Sequence, residues 1–160
     1  EKFFFVPCCL CGQVWAFVRA LSHHQQEGGM MVTERRKTVL IVDNESIMVS
    51  LLQHHISNAG YNYDVASNGQ EALDKITKES PDMVLLDLMM PGMNGFETCR
   101  RIRANEKTKN LPVIIITALH SESDSADAVS CGANEFLTKP VNGALLAKRL
   151  RHYIGSPFKV

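Results

Sequence analysis

Four positions in this chain carry side chains whose chemistry converges if the fold brings them together: Asp43, Asp87, Thr117 and Lys139. Each follows or ends an apolar run. Thr38-Val39-Leu40-Ile41-Val42 leads into Asp43-Asn44-Glu45, Met83-Val84-Leu85-Leu86 into Asp87, Val113-Ile114-Ile115-Ile116 into Thr117, and Phe136-Leu137-Thr138 into Lys139-Pro140. Oxygen ligands from Asp43, Asn44 and Asp87 suit a hard divalent cation, and Mg²⁺ keeps several waters beside one or two carboxylates. An ammonium and a hydroxyl close by hold phosphoryl oxygens. A carboxylate that attacks phosphorus becomes an acyl phosphate, and a metal shields the incoming dianion from the carboxylates. Taken singly, each residue has a bland reading. A strand-terminal Asp is commonly a turn residue, a Thr after an Ile-rich run reflects β-propensity, and Lys-Pro is loop sequence. All four at strand carboxyl ends, in this order, read as a site.

The elements that must position them alternate from Lys37 onward. Thr38–Val42 is the first strand. Ser46 to Ala59 has helical spacing, with Ile47, Leu51, Leu52, Ile56 and Ala59 on one side and Gly60 ending it. Tyr63–Ala66 is a short strand, and Asn68-Gly69 turns the chain into a helix from Gln70 to Lys78 with Ala72, Leu73 and Ile76 inward. The strand ending in Asp87 follows Pro81 and precedes the Pro/Gly loop Leu88–Gly95, so it reads as buried on both faces. A helix from about Phe96 to Ala104 places Phe96, Cys99 and Ile102 inward. Val113–Thr117 is a second fully buried strand. Ser121–Ser130 is helical but poor in apolar residues and should be loosely held. Glu135–Thr138 is the last strand, and Asn142 caps a final helix to about Tyr153 that packs through Leu145, Leu146, the Arg149 stem, Leu150 and Ile154. Five strands each followed by a helix predict an α/β fold: a doubly wound parallel sheet with helices on both faces. In such a sheet the first, third and fourth strands meet near the switch point, which brings Asp43, Asp87 and Thr117 together.

The chain has 160 residues, 45% hydrophobic and 21% charged, which is the composition of a globular domain of ordinary size. Lys+Arg and Asp+Glu are both 17, so charge gives no reason to expect nucleic acid or an anionic membrane as a direct partner. The clusters Arg100/Arg101/Arg103 and Lys148/Arg149/Arg151 read as solvated helix faces. Cys99 and Cys131 stand apart in sequence, and no disulfide framework is expected in a cytosolic-looking α/β chain. Cys8 and Cys11 have C-x-x-C spacing, but His23 and His24 are adjacent where a zinc finger separates its histidines. Residues 1–36 differ from the rest. Phe3–Val18 is apolar but interrupted by Pro7 and Gly12, short of the roughly 20 residues of a membrane span, and no small-x-small cleavage site follows it. A first residue that is Glu rather than Met reads as a fragment, a processed product or an extended translation. We expect a poorly ordered or non-native extension over 1–36, a natural start at Met30 or Met31, a domain over 37–154 and a tail over 155–160.

With these motifs the chain resembles the receiver domain of two-component response regulators. The resemblance rests on Val39-Leu40-Ile41-Val42-Asp43-Asn44-Glu45, on Asp87 with Met90-Pro91-Gly92-Met93-Asn94-Gly95, on Ile116-Thr117-Ala118 and on Phe136-Leu137-Thr138-Lys139-Pro140. It covers about residues 37 to 154. It implies the chemotaxis-type, flavodoxin-like (βα)5 fold with strand order 2-1-3-4-5. It implies that Asp87 accepts a phosphoryl group from a histidine kinase or a histidine phosphotransfer protein, in the cytoplasm, and thereby switches binding to an output partner. Thr117 then corresponds to the switch hydroxyl, Lys139 to the phosphate-binding lysine and Phe136 to the switch aromatic. Mg²⁺ would be held by Asp43, Asn44, Asp87 and the backbone carbonyl of Met89. Dimers through the last strand and last two helices are a further family habit.

One position departs from the pattern. The first strand of a typical receiver ends in two acids, and here the second is Asn44. The amide keeps a carbonyl oxygen and removes one charge. A unit-charge pair at 4 Å is worth on the order of 4 kcal/mol at an effective dielectric of 20, before hydration is counted. Weakened but not abolished Mg²⁺ binding is the expectation, with slower phosphorylation. Asn44 also supports an alternative: a degenerate receiver that binds partners without being phosphorylated. A third class, an aspartate-nucleophile phosphatase of the haloacid dehalogenase type, needs Asp-x-Asp after the first strand. Asp43-Asn44-Glu45 lacks the second Asp, so a signalling module that modifies only itself is favoured over an enzyme with turnover.

Overall fold

The computed structural model describes residues 35–118 and 131–158. The expected extension over 1–36, apart from Arg35 and Arg36, and the expected Ser121–Ser130 helix lie outside them. Five strands are present: β1 Thr38–Val42, β2 Asn62–Ala66, β3 Met83–Asp87, β4 Val113–Thr117 and β5 Glu135–Thr138. They pair in parallel in the order β2-β1-β3-β4-β5, which is the order expected from the resemblance. Four helices are described: α1 Ser46–Asn58, α2 Gly69–Glu79, α3 Gly95–Ala104 and α4 Gly143–Ile154.

Strand alternation divides the core by sheet face. Val39, Ile41, Met83, Leu85, Ile114 and Ile116 pack with Leu52 and Ile56 of α1 and Leu146 and Leu150 of α4. Leu40, Val42, Val84, Leu86, Val113 and Ile115 pack on the other face with Ala72 and Ile76 of α2 and Cys99 and Ile102 of α3. β3 and β4 are buried at every position, which is why they read as unbroken apolar runs. Truncating a fully buried Leu or Ile such as Leu85 or Ile115 should cost about 2–5 kcal/mol.

Three helices start on an asparagine cap. Asn68, Asn94 and Asn142 accept hydrogen bonds from the N–H groups of Glu71, Glu97 and Leu145, satisfying donors that the first helical turn leaves open. Two inward assignments are corrected. Ile47 is 84% exposed and Leu145 40% exposed. Ile47 lies in the first turn of α1, and Leu145 in the first turn of α4, where α4 buries only Leu146, Leu150 and Ile154. A first turn on the helical stripe can still miss the sheet it is meant to cover.

Residues after α4 are joined to the domain. Lys37 donates its N–H to the Pro157 carbonyl at 2.7 Å, Arg36 and Phe158 form an antiparallel bridge, and the Arg36 guanidinium lies 5.6 Å from the Phe158 ring centroid. Among the described residues no helix is long and apolar enough to cross a membrane.

Candidate functional site

Sheet register assembles the site. Val42 pairs with Leu86, so Asp43 and Asp87 leave neighbouring strands at the same level. Asp87 pairs with Ile116, which puts Thr117 one residue further out, and Thr117 pairs with Thr138, which puts Lys139 beyond it. Lys139 is tied back by its N–H to the Thr117 carbonyl at 2.9 Å, and the Lys139–Pro140 peptide is cis.

The side chains converge. The Lys139 ammonium lies 3.0 Å from Asp43 Oδ2 and 3.3 Å from Asp87 Oδ1, with Glu45 Oε2 at 4.0 Å. Asp43 and Asp87 are each 3% exposed, and Thr117 is buried beside them. Asp43 Oδ1 accepts the Glu45 N–H at 2.8 Å. Among the described residues Asp87 Oδ2 is buried without a well-formed hydrogen bond, with the Met89 N–H near enough to draw the carboxyl down a little.

Electrostatics follow from this crowding. Burial pushes the Asp87 carboxyl above the ordinary carboxylate range, the Lys139 charge pulls it back in part, and the Asp43 carboxylate pushes it up again. Burial works against the Lys139 ammonium, yet the Asp43 hydrogen bond and the charges of Asp43 and Asp87 outweigh it and hold Lys139 above its usual value.

Glycine makes the approach of α3 possible. A Cβ on Gly95 would lie 2.2 Å from the Asp87 carbonyl oxygen and 2.8 Å from the Leu88 Cα. The Gly95 N–H donates to the Leu88 carbonyl at 3.2 Å, closing the loop after Asp87 at its base. Gly95 entered the motif Met90–Gly95 as sequence only; its contact with the Asp87 backbone gives it a physical role.

Of the sequence-predicted site residues, Asp43, Asp87, Thr117 and Lys139 are brought together. Asn44 is exposed at the same rim, and Met89 is 66% exposed in the following loop. Phe136 lies back along β5, paired with Ile115 and partly buried against the α2/α3 core. Glu45 joins the site through Lys139, a contact that spacing alone did not single out. The donors suit Mg²⁺ in kind: two carboxylates, one with an oxygen that lacks a well-formed hydrogen bond, beside an amide and a backbone carbonyl. Among the described residues no group of three or more His, Cys, Asp or Glu is placed to hold a metal, so any ion here would draw on Asn44, a backbone carbonyl or water beside Asp43 and Asp87.

The chain is similar in sequence and fold to known proteins. A sequence model of the response regulator receiver domain matches residues 39–151. The response regulator PleD of Caulobacter vibrioides is 38% identical over 113 residues, which are 71% of this chain and 25% of that protein. The chain spans a quarter to about half the length of the curated relatives it matches. The solved structure of the chemotaxis protein CheY4 of Vibrio cholerae superposes with a TM-score of 0.69 at 31% identity, over 74% of this chain and 98% of that one. The receiver domain of the sensor histidine kinase PA1611 of Pseudomonas aeruginosa, solved with a magnesium ion coordinated in its active site cleft, gives a TM-score of 0.71 at 26% identity, over 76% and 99%.

Proposed function

The chain belongs to the response regulator receiver domain family of two-component systems, and from that premise we propose that Asp87 accepts a phosphoryl group from a histidine kinase or histidine phosphotransfer protein in the cytoplasm. The observation that carries this reading is Asp87 itself: a buried carboxylate at the end of β3 with one oxygen 3.3 Å from the Lys139 ammonium, which lies 3.0 Å from Asp43 as well. In the transfer a carboxylate oxygen bonds to phosphorus while the bond between phosphorus and the donor's imidazole nitrogen breaks. The electron pair returns to that nitrogen, and the product is an aspartyl phosphate.

The roles of the other residues follow from their positions. Lys139 meets the phosphoryl oxygens as Asp43 and Asp87 release part of its charge. Asp43, Asn44, Asp87 and the Met89 carbonyl would hold Mg²⁺, which when bound neutralises charge developing on the transferred group. Thr117 turns its hydroxyl to the phosphoryl group, and Phe136 shifts toward the space it leaves. The result is a population shift that changes the surface offered to an output partner or a second copy. This is a signalling module that is modified once per cycle.

Asn44 favours a second reading, a receiver that binds partners without being phosphorylated. Both are decided by incubating the full chain with acetyl phosphate or phosphoramidate and Mg²⁺ and measuring intact mass. One added phosphoryl group, abolished in Asp87→Ala, is the expected result. A folded chain that gains no adduct at millimolar Mg²⁺ establishes the second reading instead.

A further inference from the structure

We propose that Cys99 and Cys131 form a redox-active dithiol that hydrogen peroxide converts to an intramolecular disulfide, tying α3 to the turn ahead of β5. This goes beyond the phosphoryl chemistry of Asp87 and does not depend on it.

The two cysteines stand far apart in sequence and share one pocket of the core between α3 and that turn. Cys99 is 0% exposed and Cys131 2% exposed, both as thiols, and they belong to one buried cluster, near enough that each shifts the other's titration. Their meeting is built by Arg103, which lies four residues after Cys99 and so on the same face of α3. Its guanidinium donates from Nε to the Gly132 carbonyl at 2.7 Å, from one terminal nitrogen to the Leu111 carbonyl at 2.8 Å, and from the other to Asn134 Oδ1 at 2.8 Å. Asn134 is held in turn: its Oδ1 accepts the Val113 N–H at 2.8 Å, and its own N–H donates to the Val113 carbonyl at 2.8 Å. Gly132 adopts φ +81°, and a Cβ there would touch the Arg103 stem at 3.1 Å, so the turn lies directly on α3. The residue on either side of this clamp is a cysteine: Cys99 one helical turn back, Cys131 next to Gly132. Arg103 is therefore no solvated charge, which corrects its reading from sequence.

Chemistry separates the two sulfurs. Despite burial, the neighbouring Cys99 thiol, the Ala133 amide and the Arg100 charge hold the Cys131 thiol below its ordinary range. Cys131 also adjoins an exposed residue, Gly132. The Cys131 thiolate attacks one peroxide oxygen; the O–O bond breaks, hydroxide leaves, and Cys131 becomes a sulfenic acid. The Cys99 sulfur then attacks the Cys131 sulfur, the S–O bond breaks, and the departing hydroxide takes the Cys99 proton as water. Two thiols lose two electrons, and one hydrogen peroxide becomes two waters.

The test uses the full chain, with its other cysteines Cys8, Cys9 and Cys11 in place. Folded protein is treated with hydrogen peroxide, unfolded in excess alkylating reagent, digested without reductant and mapped by tandem mass spectrometry. The expected result is a Cys99–Cys131 linked peptide as the main oxidised species of these two residues, released by dithiothreitol and absent when the chain is oxidised in urea. In Cys99→Ser, Cys131 should instead be trapped as sulfenic acid by dimedone. The proposal is overturned if both cysteines of the folded chain stay alkylatable. It is equally overturned if they proceed to sulfinic acid without linking, or if Cys131 pairs with an N-terminal cysteine.

Discussion

At the amino-terminal end of the sheet Lys37 donates its backbone N–H to the Pro157 carbonyl and its ammonium to the Ile154 carbonyl, while Tyr61 Oη donates to the Gly155 carbonyl at 2.5 Å. At the carboxyl-terminal end Lys139 faces three carboxylates, Asp43, Asp87 and Glu45. Each rim is organised by one lysine. The amino-terminal lysine's ammonium meets the Ile154 carbonyl that the end of α4 leaves open, so it completes a helix terminus where a cation is favourable. The carboxyl-terminal lysine stands among three carboxylates and cannot neutralise them. One end is closed by hydrogen bonds, and the other keeps a negative surplus, as the proposed Mg²⁺ and phosphoryl chemistry requires.

The contrast is broken most directly at the two lysines. Lys139→Met leaves Asp43 and Asp87 buried without a cation and should cost about 3–5 kcal/mol in metal-free buffer, whereas Lys37→Met should cost about 1 kcal/mol. Urea denaturation in the presence of EDTA measures both, and equal losses would erase the distinction between the rims. Next in size, Asn44→Asp should tighten Mg²⁺ roughly tenfold, a net of about 1.4 kcal/mol out of the larger gross charge interaction. An NMR titration reads it, and equal affinities would mean that Asn44 does not limit the site. Tyr61→Phe should cost about 1 kcal/mol by losing its bond to the Gly155 carbonyl while leaving the level of aspartyl phosphate unchanged; a fall in that level would show the two ends to be coupled.

The smallest effect lies between the rims. Burial pushes the Asp64 carboxyl up, but the Lys75 hydrogen bond and the Val65 N–H outweigh it and hold Asp64 below its ordinary range. The Asp64 hydrogen bond in turn holds Lys75 above its own. A carboxylate with a lowered folded pKa stabilises above its unfolded value and loses that contribution as pH falls through the folded one. A lysine with a raised pKa keeps its contribution until pH rises through the raised value. Lys75→Met should therefore cost under ~1 kcal/mol for so exposed a pair, constant across neutral pH and vanishing in strong acid. A thermal-melt series from pH 7 to pH 2 that shows a constant deficit would assign the effect to packing of the lysine stem instead.

Legibility in the sequence tracked the range of the interaction responsible. β3, β4 and the rim residues Asp43, Asp87, Thr117 and Lys139 were readable because strand burial and strand ends leave local patterns. Ile47 was misplaced because helical spacing defines a face and says nothing of whether the first turn reaches past the sheet. Arg103 looked like solvent-facing charge, since its partners are carbonyls and an amide on remote segments and no spacing encodes them. The meeting of Cys99 with Cys131 and the joining of Phe158 to Arg36 are of the same kind: contacts made by topology, with no trace in either local stretch.

The loop after Asp87 has a neck and a tip with opposite tolerances. At the neck, Gly95 has no room for even a methyl group against the Asp87 carbonyl, whereas at the tip Gly92 has open space around it and only its φ of +79° resists a side chain, so the tip has room for an insertion beside the glycine but not for its replacement. Surface loops generally absorb insertions at small entropic cost. Here that freedom is confined to the exposed Pro91-Gly92 segment. A peptide tag or fluorophore grafted there would ride on the loop that follows Asp87 as a reporter, and the same graft two or three residues later would pry α3 off the strand it leans on.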